Sequence, residues 1–258
     1  MKLGRERQEP LLQIRARDPE AVVALCGNPN TGKSTLFNAL TGLHQHTGNW
    51  PGKTVARTEG TFRHHGWRFR LVDLPGTYSL LSSSEEEEVA RDFLLSGRPD
   101  VTVVVVDATC LERNLNLVLQ VAHLAPRLCV CLNLMDEARR DGWTLDVTRL
   151  ERELGAPVVP AVARRGEGLE MLKEKILGLA SGTIPSFPRP LPLDPELARA
   201  VSDLVPSVKE ALPDAPAATW LALRLLDGDD EVRGGIERWL DGGSAARQRG
   251  EAAQEVVR

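Results

Sequence analysis

The eight residues Gly27-Asn28-Pro29-Asn30-Thr31-Gly32-Lys33-Ser34 constrain this chain more than any other stretch. They satisfy the spacing G-x-x-x-x-G-K-[ST], directly after the apolar run Ala21-Val22-Val23-Ala24-Leu25-Cys26 and ahead of a helical pattern over 33–43 that opens Lys33-Ser34-Thr35. Glycines at both ends of such a loop let successive backbone N–H groups turn toward one anion. The helix that starts at Lys33 aims its positive end at the same point. Strand, loop and helix in that order form a phosphate-binding α/β unit. In that unit the Lys33 ammonium bridges the terminal phosphates and the Ser34 hydroxyl ligates Mg²⁺.

The chain around this unit repeats the alternation. Residues 61–74 read as two strands joined at His65-Gly66, and 101–108 and 128–134 are continuous apolar runs. Such runs are what parallel strands covered on both faces require. Helical patterns occupy 113–124 and 147–154, with a last strand over 158–161 and a last helix over 168–180. The expected fold is α/β, a P-loop NTPase domain over 21–180 after a polar leader at 1–20. Its sheet is mostly parallel, with one antiparallel hairpin strand, and is flanked by helices. A Pro-rich stretch over 181–195 reads as a linker. Helical periodicity over 196–212, 217–227 and 230–240 then predicts a small all-α subdomain that, with a polar tail, fills 196–258.

Three further segments fall where a nucleotide site needs them. Asp73-Leu74-Pro75-Gly76 ends an apolar strand. Its carboxylate can hold Mg²⁺ through a water, and the Gly76 N–H can reach a γ-phosphate. Asn133-Leu134-Met135-Asp136 ends another strand. The Asp136 carboxylate can accept two hydrogen bonds from the N1–H and amino group of guanine, whereas adenine offers a lone pair at N1. Sites of that kind discriminate by roughly 10⁴-fold. Ala163, between Val162 and Arg164, can offer a backbone N–H to the guanine oxygen. Thr54, in Gly48-Asn49-Trp50-Pro51-Gly52-Lys53-Thr54, can complete Mg²⁺ coordination and close its loop over the γ-phosphate. Read from the residues alone, the expected catalytic set includes Lys33, Thr54 and Gly76.

Catalysis departs from a common pattern. Ras-like enzymes carry a glutamine after the D-x-x-G glycine to orient water. Thr77 stands there in this chain, so intrinsic hydrolysis is expected to be slow or to draw on another group. The following Ser82–Glu88 stretch reads as a capped helix start, with Ser84 and Glu87 in capping-box spacing.

Composition excludes several classes. A net charge of −4 gives no bulk attraction to nucleic acid. There is no run of about 18 apolar residues to span a bilayer, and the charged N-terminus is no secretory signal, so a soluble, cytosolic chain is expected. Cys26, Cys110, Cys129 and Cys131 lie in apolar segments and read as packing thiols. His44, His46, His64 and His65 read as solvated surface residues without carboxylates at ligand spacing, and Trp67, Trp143, Trp220 and Trp239 as packing residues.

With these residues in hand, the chain resembles the cytosolic N-terminal region of the ferrous iron transport protein B (FeoB) family. GNPNTGKSTLFNALTG, GNWPGKTV, DLPGTYSL, LERNLNL, LNLMDEA and, near the end, WLALRLLDGD carry the likeness over about residues 20–240. The resemblance implies a GTPase domain followed by a helical domain that modulates guanine-nucleotide affinity. It also implies an attached membrane permease domain moving Fe²⁺ inward, and small cytosolic Feo-type accessory proteins as partners. The working place would be the cytoplasmic side of the bacterial inner membrane, with this chain a soluble piece of the longer protein. Potassium-stimulated hydrolysis is implied too, with Asn30 and the carbonyls of Gly48 and Trp50 cradling K⁺ near the phosphates, which adds Asn30 to the expected catalytic set. A cation there offsets developing charge, the service the missing glutamine leaves undone. Lys53 departs from the family's usual small apolar residue, and Val162-Ala163 from a common Ser-Ala. Two other readings are a free-standing GTPase of the ribosome-assembly or tRNA-modification type and a nucleotide-gated switch with negligible turnover.

Overall fold

The computed structural model describes residues 19–42, 45–81, 84–96, 99–190, 192–211, 217–228 and 234. Strand β1 (Glu20–Gly27) leads into helix α1 (Lys33–Thr41), which stops at Gly42, whose backbone turns left-handed at φ 61°. Strands β2 (Gln45–Asn49), β3 (Ala56–His64) and β4 (Trp67–Asp73) follow, then helix α2 (Glu85–Ser96). Next come β5 (Val101–Asp107), α3 (Leu111–Leu124), β6 (Leu128–Asn133), α4 (Met135–Arg140) and α5 (Val147–Leu154). The series closes with β7 (Val158–Pro160), α6 (Leu169–Ser181), α7 (Pro195–Ala211) and α8 (Ala218–Leu226).

The seven strands form one sheet in the order β2-β3-β4-β1-β5-β6-β7. From β4 to β7 all neighbours are parallel, while β3 runs antiparallel to both β4 and β2. This is the expected mostly parallel α/β sheet, with a strand more at its antiparallel edge. That strand, β2, lies where the sequence predicts only a loop. Its sequence QHTGN has no apolar alternation and is exposed along its whole length, so only pairing with β3 makes it a strand.

Strand alternation divides the core between the two faces. Val101, Val103 and Val105 of β5 join Leu36 and Phe37 of α1 and Leu172, Ile176 and Leu179 of α6. Val104 and Val106 face the other way, against Leu117, Val118 and Val121 of α3. Burying such a side chain contributes about 1.5–3 kcal/mol, so a strand covered on both faces must be apolar at every position. The helical pair α7–α8 has no separate core: Val201, Val208, Trp220 and Leu221 belong to the α3-side cluster. The third helical stretch at 230–240, apart from Gly234, lies outside the described residues, as do Trp239, His44 and all but the end of the leader.

Two packing expectations need correction. Cys26, Cys129 and Cys131 are buried, and burial pushes the Cys26 and Cys131 thiols up to about 12. Cys110, however, is exposed, because it sits in the turn before α3 rather than in a strand. Trp143 projects into solvent with 59% of its surface exposed, while Trp220 is buried as expected.

Candidate functional site

The phosphate loop, Asp73, Asn133 and the turn after β7 all leave the sheet at the carboxyl ends of parallel strands. Register places Leu25 beside Asp73, Asp107 beside Asn133 and Leu132 beside Pro160. In open α/β sheets ligands bind in the crevice at this edge.

Two close approaches and two left-handed residues shape the loop. A Cβ on Gly27 would lie 2.8 Å from the Val105 carbonyl oxygen, and one on Gly32 would lie 2.4 Å from Asn133 Nδ2. Asn30 (φ 68°) and Gly32 (φ 81°) turn the chain back on itself, and Thr31 Oγ1 donates to the Asn28 carbonyl at 2.9 Å. Asn30, Ser34 and Thr35 stay exposed on the open side of the loop. Asn28 is buried, yet neither of its side-chain polar atoms has a partner, and Pro29 packs against Gly76.

Asn133 ties the loop to the rest of the crevice. Its Nδ2 donates to the Thr31 carbonyl at 2.9 Å, and its Oδ1 accepts the Ala163 N–H at 3.0 Å. The sequence pointed to Asn133 as part of a motif; its role as a brace between two loops is a tertiary fact. Leu134, left-handed at φ 62°, starts α4, and the Met135 N–H donates to the Ala161 carbonyl at 3.2 Å. That sets Asp136 at the mouth of the crevice. Its Oδ2 receives the Arg164 guanidinium, which holds the carboxyl below its ordinary range, while Oδ1 is buried without a partner. Arg164 therefore lies on the group expected to read guanine, with the N–H donors such a base would present.

Lys33 is similarly parked. Its ammonium contacts the Asp73 carboxylate and donates to the Leu74 carbonyl at 2.7 Å. Burial pushes the Asp73 carboxyl above its usual value, with Lys33 opposing the shift. The Asp73 carboxylate and the Leu74 carbonyl thus already accept a cation, and hard oxygens of this kind suit Mg²⁺.

The flexible-loop residues are engaged elsewhere. The Thr54 hydroxyl and N–H both donate to Glu85 of α2, at 2.6 and 3.1 Å, and Lys53 pairs with Glu88. The Trp50 carbonyl accepts the Lys53 N–H at 3.0 Å, closing a turn through exposed Gly52. The Trp50 ring packs edge-on to Phe93 with Arg57 over its face, and Gly48 is paired inside β2. Among the described residues no hydrogen bond joins Gly48, Trp50 or Thr54 to the phosphate loop.

Thr77, in the place of the missing glutamine, has a network the sequence did not reveal. Its N–H donates to the Gly27 carbonyl at 3.2 Å, and its hydroxyl donates to Glu87 Oε1 at 3.0 Å. Ser84 does cap α2 by accepting the Glu87 N–H at 3.2 Å, but the Glu87 carboxylate turns inward and is buried, with Oε2 unpartnered. Four consecutive glutamates read as a solvated helix start, and only the fold singles out the third.

The family model described as ferrous iron transport protein B matches residues 21–176, which hold every strand from β2 to β7, nearly all of β1, and the crevice. This chain belongs to the ferrous iron transport protein B family. It is 42% identical over 224 residues to the Fe(2+) transporter FeoB of Salmonella typhimurium LT2, covering 80% of this chain and 27% of that protein. It is 37% identical over 234 residues to an Fe(2+) transport protein A/FeoB fusion protein of Porphyromonas gingivalis W83, covering 89% and 28%. The chain thus spans about a quarter of the length of these FeoB relatives. The crystal structure of the cytosolic domain of T. maritima FeoB in GDP form I superposes with TM-score 0.74 at 38% identity, covering 85% of each chain. No described helix is long and apolar enough to cross a membrane.

Proposed function

We propose that this chain binds GTP and GDP with Mg²⁺ and hydrolyses GTP slowly, with K⁺ as activator, regulating or energising Fe²⁺ uptake by an attached membrane permease domain. The observation that carries the nucleotide reading is the Asn133 brace. It holds the phosphate loop, the Ala163 N–H and the strand end leading to Asp136 in one crevice. Phosphate loop N–H groups then receive the anionic end, and Asp136 takes the guanine edge once Arg164 swings away. Lys33 transfers from Asp73 to the phosphates, and Asp73 and Ser34 hold Mg²⁺. Asn30 on the open side of the loop is the side chain available to a K⁺, with the Gly48 and Trp50 carbonyls joining it when the loop rearranges. Thr54 reaches Mg²⁺ in that same rearranged state. The T. maritima FeoB domain in its GDP form, and the fusion of an Fe(2+) transport protein A to a FeoB, support the nucleotide, the cytoplasmic face of the membrane and the accessory partners.

Competition binding tests the nucleotide: GDP should displace a labelled guanine nucleotide and ATP should not. Equal competition by ATP sinks the guanine assignment. Single-turnover hydrolysis in KCl against NaCl, repeated with Asn30→Ala, tests the cation. Rates that do not differ between the salts, or a stimulation untouched by the substitution, remove Asn30 from the potassium site.

A further inference from the structure

The tip joining β3 to β4 carries a second constellation, at the end of the sheet opposite the nucleotide crevice. Strand β4 begins at Trp67 beside the tip and reaches the crevice at Asp73, six residues or about 20 Å away at the rise of a strand. His64 and His65 are consecutive, and along a strand their side chains would point to opposite faces. The tight turn cancels that alternation. His65 (φ 43°) and Gly66 (φ 78°) are both left-handed, and the two imidazole rings lie edge to face with centroids 4.3 Å apart. A β-branched or ordinary residue is disfavoured at such a φ, and Asn or Gly is the usual choice. Histidine is among the few non-glycine residues that tolerate such a φ, and here it brings a ligand-type side chain to the turn.

Helix α6 brings the carboxylates. Glu174 Oε1 lies 3.0 Å from His64 Nε2 and 2.8 Å from His65 Nε2, so both imidazoles converge on one oxygen. One ligand atom from each of the three residues falls within 4.8 Å of the others. Ligands about 2.0–2.1 Å from a common ion stand about 3–3.4 Å apart, so small side-chain rotations complete the set. One turn earlier on the same helix face, Glu170 Oε2 stands 3.9 Å from the other nitrogen of His64, Nδ1, while Lys173 holds Glu170 Oε1 at 2.6 Å. At 3.9 Å this is not yet a hydrogen bond, but a small rotation of exposed Glu170 would make it the outer carboxylate that fixes the tautomer freeing Nε2. The His64 side chain is only 9% exposed, and stacked Phe62, Phe69 and Trp67 anchor the tip. The His65 and Glu174 side chains, 65% and 54% exposed, leave the site open to solvent on one side.

We propose that His64, His65 and Glu174 bind a first-row divalent transition cation of the Fe²⁺, Co²⁺ or Zn²⁺ kind, with Glu170 as the outer partner of His64. Two imidazoles and one carboxylate with open positions suit such an ion, whereas Mg²⁺ prefers an all-oxygen shell. The site is independent of the nucleotide reading and shares no residue with it.

The test is titration of the nucleotide-free chain, in a Cys110→Ser background and excess Mg²⁺, with Co²⁺ followed by visible absorption. Fe²⁺ is titrated under anaerobic conditions by calorimetry. One ion per chain is expected. Affinity should fall more than tenfold in His65→Ala and in Glu174→Gln, and about tenfold with the spectrum retained in Glu170→Gln. The exposed positions of His65 and Glu174 allow these variants to keep the fold, which unchanged thermal unfolding and unchanged GDP binding would establish. Uptake of the same stoichiometry and affinity in the His65→Ala/Glu174→Gln double variant overturns the site, as does the absence of saturable uptake above the Mg²⁺ background.

Discussion

The two halves of the nucleotide crevice are held in different ways. The base side is braced by neutral hydrogen bonds between buried groups: Asn133 to Thr31, Asn133 to Ala163, Met135 to Ala161. On the switch side, Gly48 and Asn49 are paired with β3 and Trp50 is buried, but Lys53 and Thr54 are held by side-chain contacts near the surface, Lys53 to Glu88 and Thr54 to Glu85. Buried hydrogen bonds are costly to break because their groups are left unsatisfied. Surface charge contacts contribute little and exchange readily with water. One half is therefore rigid in itself, while Lys53 and Thr54 of the other are held by contacts that cost little to exchange.

Breaking the rigid half should have the largest effect. Gly32→Ala places a Cβ against Asn133 at a left-handed backbone and should abolish measurable GDP binding by calorimetry. Asn133→Ala leaves the Thr31 carbonyl and Ala163 N–H without their partner, at about 1–3 kcal/mol each. Its urea midpoint should fall accordingly, with GDP affinity lowered by at least a hundredfold. An Asn133→Ala chain of unchanged stability would mean the brace is not what fixes the crevice. Asp136→Asn should keep the fold and weaken GDP by about 10³-fold, since one of two acceptors for the base becomes a donor.

Arg164→Ala sharpens the contrast, because Arg164 makes the strongest surface-type contact on the rigid side, with Arg165 farther from Asp136 at 3.8 Å. Its removal frees Asp136 and should tighten GDP a few-fold. Because Arg164 keeps Asp136 ionised to lower pH, the acid loss of GDP binding should begin at higher pH in the variant than in the parent. A pH profile that does not move would show that the guanidinium does not control the carboxylate. Glu85→Ala, on the switch side, should leave thermal stability nearly unchanged and raise hydrogen exchange at 50–55. Unaltered exchange there would show that the Glu85 contact does not restrain the segment.

What was legible in the sequence follows the same division. The phosphate loop, Asp73-Leu74-Pro75-Gly76 and Asn133-Leu134-Met135-Asp136 are contiguous, each at a strand end, and the spacing of residues within each dictates its chemistry. The parallel strands were legible because burial on both faces demands unbroken apolar runs. β2 was not, since its four polar residues and one glycine carry no periodicity and gain their conformation from β3. Nor was the state of Thr54: a hydroxyl in a loop is equally suited to an ion or to Glu85, and only the packing of α2 decides between them.

By itself, then, the sequence set the local chemistry on offer: a loop with the spacing of a phosphate cradle, a carboxylate whose two oxygens match the donors of guanine, and Thr77 where Ras-like enzymes carry glutamine. The tertiary structure alone decided which distant groups meet. Asn133 braces a loop 102 residues away, Glu87 turns inward to Thr77, and Glu174 closes on histidines 110 residues earlier that read as surface residues. Spacing along a chain specifies contacts only within a turn of helix or a strand pair. Contacts across a sheet are set by which strands pair and which helices cover them.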